Sequence, residues 1–217
     1  MKSKRILKFK DYARIFFVYG LGCAVVPIIV TELFWDGVAK QIGLSGLPKD
    51  IIESFFRAAL LEEGFKFFGF YRADKNYKFI SEKEFMLGAG TIGLAYAVVE
   101  KLVTGNAFAI ILGILFPMHI LWQMNQGRHF FAYRQARKKK DNKTAKKELF
   151  MATFVIFLMH GCWDAVISLS VYLMNIEGST YANIFSIILI LLTIAFGIFY
   201  MITTIKKAIK VFKNDKK

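Results

Sequence analysis

Residues 181–205 read YANIFSIILILLTIAFGIFYMITTI, an uninterrupted stretch without one charged side chain. A helix rises about 1.5 Å per residue, so such a run is long enough to cross the roughly 30 Å hydrocarbon core of a bilayer. Further apolar runs that could span a membrane lie at residues 12–35, 50–71, 85–103, 107–126 and 150–175. The sequence therefore predicts an all-α protein, a polytopic membrane helical bundle with about six transmembrane helices.

The composition agrees with a membrane protein. Of 217 residues, 56% are hydrophobic, and the formal net charge is +14. A soluble protein this basic would first suggest nucleic acid as a partner. The basic residues lie between the apolar runs, however, so we expect no nucleic-acid partner and instead expect contact with membrane lipid. Cys23 and Cys162 both lie inside apolar runs, which argues against a disulfide framework.

Positive charge also predicts the topology, because cytoplasmic connections carry the excess of Lys and Arg. Basic residues are dense before the first run, after the second, after the fourth and in the tail. Both termini are therefore predicted to be cytoplasmic. The densest basic run lies at residues 128–147. Its part from Arg134 to Lys147 is interpreted as a solvated loop that fixes this topology, and an RNA-binding or anionic-lipid-binding segment is the alternative.

Ionisable residues inside the predicted spans are costly and need a reason. The second run contains Leu61-Glu62-Glu63-Gly64-Phe65-Lys66, in which Glu62 and Lys66 share a helix face. An ion pair with Lys66 would account for one of the two carboxylates. The other carboxylate would have no cation of its own. The extra acid is suited to general acid or base catalysis. The charges also make this run the weakest span, and an interfacial or cytoplasmic helix is the alternative.

The next three runs each add polar groups. The third contains Gly90-x-x-Gly93-x-x-Tyr96-x-x-x-Glu100, the fourth contains His119-x-x-Trp122 followed by Gly127, and the fifth contains His160-x-x-x-Asp164. The two residues of the last pair lie one turn apart on one helix face, where a carboxylate can orient an imidazole. Counted from the outer helix ends, the acids and imidazoles lie within roughly one helical turn of each other, with only Glu100 shallower.

In this order the four motifs resemble those of the PrsW family of intramembrane proteases, which is related to the type II CAAX prenyl endopeptidases and the CPBP, or Abi, proteins. The resemblance runs from about Leu61 to Asp164. Tyr96 stands where the wider superfamily usually has Phe, and Asp164 where the prenyl endopeptidases usually have Asn. The chain is thus predicted to be one integral membrane domain, residues 1–217, with a catalytic four-helix core at about residues 50–175.

The resemblance implies an endopeptidase that cleaves a peptide bond in a membrane-anchored protein with a glutamate-activated water. Family members are associated with clipping single-pass anti-sigma factors on the outer side of a bacterial cell membrane. In this interpretation Glu62 activates the water, although Glu63 is the alternative, and Lys66 positions the pair. The remaining predicted catalytic residues position the water or polarise the scissile carbonyl, and they are Glu100, His119, His160 and Asp164.

The sequence leaves the metal open. A zinc site would draw its ligands from Glu63, Glu100, His119 and His160. Because the ammonium of Lys66 opposes a second cation nearby, the sequence favours catalysis without a cofactor, with zinc as the alternative. Two non-proteolytic alternatives also stand, namely a proton or ion carrier and an immunity or scaffold protein on the same fold.

Overall fold

The computed structural model describes residues 7–104, 115, 117–176 and 179–214. Over these residues the chain is almost entirely helical, and no strand occurs in them. The described residues form six long helices. They are α1 (Phe9–Gln41), α2 (residues 46–77), α3 (Glu82–Thr104), α4 (Met118–Lys138), α5 (Asn142–Met174) and α6 (Thr180–Asn214).

Four of these helices, α1, α3, α5 and α6, are long and apolar enough to cross a membrane. This confirms the prediction of an all-α membrane helical bundle. Helix α2 is not among the four, in keeping with the charges that make its run the weakest by hydropathy. Residues 107–114 and 116 of the predicted fourth span lie outside the described residues. Six spans and cytoplasmic termini therefore remain predictions.

The basic segment at residues 134–147 is helical apart from a short turn, whereas the sequence predicts a loop there. Helix α4 continues to Lys138 and α5 begins at Asn142, so a turn of three residues joins them. Lys140 has a φ of +59° in this turn, and Asp141 caps α5 by accepting a hydrogen bond from the Thr144 N–H at 3.0 Å. Residues 137–144 are exposed, so the middle of the segment is solvated, whereas Ala136 and Ala145 on either side are buried.

Two glycines allow the helices that carry the polar residues to approach closely. A Cβ at Gly93 of α3 would lie 2.4 Å from the carbonyl oxygen of His119 in α4. A Cβ at Gly161 of α5 would lie 2.4 Å from the ring of Phe55 in α2. Such small residues at helix contacts are characteristic of membrane bundles, because they let backbones pack directly against each other.

An aromatic cluster fixes the ends of α2, α3 and α4 at their basic side. The rings of Phe70, Phe79, Phe85 and Phe130 are buried and lie 5.6–6.1 Å apart in their contacting pairs. Contacts of this kind stabilise by about 0.5–1.5 kcal/mol beyond burial. The neighbouring Arg134 donates to both carboxylate oxygens of Asp74 at 2.8 Å, which ties α4 to α2.

Helix α2 is not regular, because residues Ser54–Glu63 form π-helical turns before an α-helix resumes at Gly64. In a π-helix the hydrogen bonds join residues five apart, so the side-chain register differs from the usual 3.6-residue repeat. The irregular segment ends at the two adjacent glutamates of the sequence motif. Further π-helical turns lie at Ile15–Gly20 and Thr31–Trp35 in α1 and at Met151–Val155 in α5.

The close approach at Gly93 predicts the effect of Gly93→Ala. The added methyl group would meet the backbone of α4 rather than a flexible side chain, so we expect a loss of about 1–3 kcal/mol in stability. The apparent melting temperature in detergent should fall by several degrees. Gly22→Ala is the matched control, because nothing lies within 4 Å of a Cβ there. Equal melting temperatures for the two variants would contradict the predicted clash.

Candidate active site

The structure brings all seven predicted site residues together at one place in the bundle. Helix α2 contributes three of them, α3 and α4 one each, and α5 two. They are Glu62, Glu63, Lys66, Glu100, His119, His160 and Asp164. The three from α2 and His160 are buried, whereas the side chains of Glu100 and Asp164 are 28% and 32% exposed. The site therefore opens to its surroundings on the side of these two acids.

Glu63 is held by three neighbours. Its Oε1 lies 2.6 Å from Nζ of Lys66 and 2.8 Å from Nδ1 of His160, and its Oε2 accepts a hydrogen bond from Gln123 at 2.7 Å. Both oxygens are thus occupied by donors from three different helices. A carboxylate bound in this way is fixed in place, which suits a positioning group better than one that takes up a proton.

Glu62 has a different environment. Its Oε2 lies 3.6 Å from Nζ of Lys66 and 3.9 Å from Nε2 of His160, and this buried oxygen has no hydrogen-bond partner in the described part of the chain. A buried oxygen without a partner costs free energy unless water, an ion or a substrate completes its contacts. Both adjacent glutamates therefore face the site, but only Glu62 offers an unused oxygen there.

Each histidine is paired with a carboxylate. Nε2 of His119 lies 3.0 Å from Oε2 of Glu100, and its Nδ1 lies 3.0 Å from Nζ of Lys66. The ammonium can only donate, so Nδ1 accepts and Nε2 carries the proton that is donated to Glu100. In His160, Nδ1 faces Glu63, which leaves Nε2 directed towards Glu62 and 3.4 Å from Asp164.

Three of these residues have the spacing of a metal site. One ligand atom each from Glu62, His119 and His160 lies within 4.8 Å of the others. Zinc bonds to nitrogen and oxygen are about 2.0–2.2 Å, so two ligand atoms can be at most about 4.4 Å apart and the group would have to contract slightly. Histidines oriented by a carboxylate on their other nitrogen are typical of metal sites.

Charge also fits a divalent cation. The four carboxylates of the site face two lysines, Lys66 and Lys101, of which the latter lies 3.1 Å from Glu100. With neutral histidines, two negative charges are left without a counter-charge. Uncompensated charge is unfavourable in a site that is largely removed from water, and either bound protons or a dication would relieve it. To bind through Nδ1, His119 would have to give up its contact with Lys66.

Gln123 is a site residue that the sequence analysis missed. It lies one turn after His119 on α4, is fully buried, and donates to Glu63. Its position four residues from a motif histidine, inside an apolar run, was the available signal.

Two aromatic residues line the same region. Lys66 Nζ lies 4.0 Å above the ring of Tyr96, and the ring of Trp122 lies 4.6 Å from that of His160.

Comparison with known proteins identifies relatives of this chain. It is 30% identical over 122 residues to "Protease PrsW" of Oceanobacillus iheyensis, covering 54% of each protein. It is 27% identical over 163 residues to "Protease PrsW" of Clostridioides difficile, covering 70% of this chain and 65% of that protein. The chain thus matches about half to two thirds of the length of these curated relatives. No solved structure matches the chain significantly.

A family model described as "PrsW family intramembrane metalloprotease" matches residues 10–198, which is most of the chain and includes every residue of the site. The resemblance expected from the four motifs is thereby confirmed. The chain belongs to the PrsW family of intramembrane metalloproteases.

Proposed function

We propose that this protein is an intramembrane endopeptidase of a bacterial cell membrane, and that it cleaves a membrane-anchored protein. Family membership, bacterial relatives and four helices able to span a bilayer support the proposal. The observation that carries it is the buried Glu62 oxygen without a partner, 3.9 Å from Nε2 of His160. A water molecule bound between these atoms would be polarised from both sides.

In the proposed reaction Glu62 takes a proton from this water while the water oxygen attacks the carbonyl carbon of the scissile peptide bond. The resulting tetrahedral intermediate breaks its C–N bond, and the proton held by Glu62 passes to the leaving amine. Water is thus consumed and one carboxylic acid and one amine are released. General base catalysis of this kind contributes about 10²–10⁴-fold to the rate.

The other residues hold this arrangement. Glu63, fixed by Lys66 and Gln123, orients His160 through the hydrogen bond to Nδ1. Glu100 orients His119 in the same way from α3. Donors and charges that are fixed before the reaction stabilise the developing oxyanion without further reorganisation. Asp164 and Glu100, whose side chains are partly exposed, lie on the open side of the site. We propose that the substrate strand enters there.

We further propose that the enzyme is metal-dependent, with His119 and His160 as the residues that hold the ion. Glu62, the third member of the same group, is left beside it to act as the base. A bound zinc ion would polarise the scissile carbonyl and make a water molecule more acidic. The sequence favours the metal-free alternative because of Lys66. In the structure, however, that ammonium lies 2.6 Å from Glu63, which compensates its charge and leaves the excess negative charge of the site in place. This supports a cation at the site.

Substitution of the paired glutamates tests the proposed chemistry. With purified protein and a library of membrane-anchored peptides, Glu62→Gln should reduce cleavage by at least about 10²-fold, because the water loses its base. Glu63→Gln should reduce it as well, by misplacing His160. Glu53→Gln, on the same helix but bonded to Trp35 instead, is the matched control and should retain activity.

Wild-type turnover in Glu62→Gln would refute the catalytic assignment. Measurements of ion flux in liposomes reconstituted with the same variants test the carrier alternative. Proton or cation flux that requires Glu62 and Glu100, without peptide cleavage, would favour a carrier over a protease.

Elemental analysis tests the metal. Purified wild-type protein should contain near-stoichiometric zinc, and His119→Ala or His160→Ala should lose it, because each variant removes one of the two imidazole ligands. Chelation should abolish cleavage, and added zinc should restore it. Full activity in metal-free protein would instead establish the glutamate-only mechanism that the sequence favours.

The substrate class is tested in cells. We propose a single-pass membrane protein resembling an anti-sigma factor, since the resemblance implies this class. In cells that carry Glu62→Gln, quantitative proteomics should show one or a few single-pass proteins accumulating at full length. Unchanged single-pass proteins, together with accumulation of a soluble protein, would contradict this substrate class.

A further inference from the structure

A second feature lies away from the proposed active site, at the basic end of the bundle. An open cleft of about 610 Å³ is formed by the start of α3, the middle of α4 and the end of α6. Its charged lining residues are Glu82, Lys83, Arg128, Lys207 and Lys210. Phe131 and Val211 supply apolar surface beside them. No part of the proposed peptidase chemistry uses these residues.

The cleft has a marked excess of positive charge. Its single carboxylate, Glu82, is already paired with Arg128 at 3.2 Å. Lys207 and Lys210 are exposed, and neither forms an ion pair with the described residues. Lys83 lies 5.7 Å above the ring of Phe212, which holds it beside α6. The lining of the cleft thus carries four cationic side chains against one carboxylate.

This excess is a property of the cleft and not of the whole basic end. A neighbouring cavity of about 420 Å³ shares Glu82 and Arg128 with the cleft. Its further lining residues include Asp141, Glu148 and Lys139, so that carboxylates outnumber lysine and arginine there. An anion would thus be attracted to the cleft between α3, α4 and α6 and repelled from its neighbour.

The cleft also lies at the depth expected for lipid headgroups. The uncharged run of α6 ends at Ile205, and Lys207 and Lys210 follow within the next two turns. On the other wall, Glu82 and Lys83 begin α3 directly before its apolar part. The predicted topology places this end on the cytoplasmic side, where anionic lipids attract basic residues near helix ends.

We propose that this cleft binds the phosphodiester headgroup of an anionic phospholipid from the cytoplasmic leaflet. Lysine and arginine donate charge-assisted hydrogen bonds to phosphate oxygens, which are among the stronger polar contacts that proteins make. A soluble phosphate would meet the same side chains. The position of the cleft at the edge of two membrane-spanning helices favours the lipid, because its acyl chains can stay in the bilayer. The inference does not depend on the proposed peptidase activity.

Titration calorimetry on the full-length protein in a neutral detergent tests the proposal. The ligands are short-chain phosphatidylglycerol, phosphatidylcholine with the same chains, and inorganic phosphate. The wild type should bind phosphatidylglycerol saturably, phosphatidylcholine not at all, and phosphate at least about tenfold more weakly. Lys207→Gln/Lys210→Gln should weaken phosphatidylglycerol binding about thirty-fold, since each lysine near the surface contributes about 1 kcal/mol.

Two controls separate the cleft from net charge and from folding. Lys206→Gln/Lys213→Gln removes the same charge from α6 outside the cleft and should retain binding. Lys207→Arg/Lys210→Arg keeps the cationic lining and should also retain binding. The proposal is overturned by equal losses in the two glutamine variants, by absence of saturable binding to wild type, or by phosphate binding as tight as phosphatidylglycerol.

Discussion

The ammonium of Lys66 is the centre on which the rest of the site depends. It is fully buried, lies 2.6 Å from Glu63 and 3.0 Å from Nδ1 of His119, and lies above the ring of Tyr96. An unpaired charge in such a position would be very unfavourable, and removing the partner of a buried ion pair costs about 3–5 kcal/mol. The surrounding acids and imidazoles therefore stabilise the fold in addition to their roles in the proposed chemistry.

Close helix packing makes these contacts possible. Gly93 lets α3 approach the backbone of α4 at His119, so Glu100, two turns further along α3, reaches the same imidazole. Gly161 does the same between α5 and α2, and the adjacent His160 then reaches Glu63. The positions of the functional side chains are thus set by close packing, of Gly93 on the α4 backbone and of Gly161 on the Phe55 ring.

Much of the site could be predicted from the sequence, since charges inside apolar runs are rare and costly. The seven predicted residues do meet, and the four ordered motifs indicated the correct family. Gln123 was not predicted, because a neutral amide in a span is a weaker signal than a charge. The helices within residues 134–147 were not predicted either, because a dense basic run indicates exposure but not backbone conformation.

The sequence by itself determined that this is a helical membrane protein with acids and histidines on successive helices, because hydropathy and charge are properties of local stretches. Only the tertiary structure decided how the two adjacent glutamates differ. Lys66 and the donors supplied by α4 and α5 occupy Glu63, and one oxygen of Glu62 is left without a partner among the described residues. That distinction depends on residues up to 97 positions away, so no local pattern could contain it.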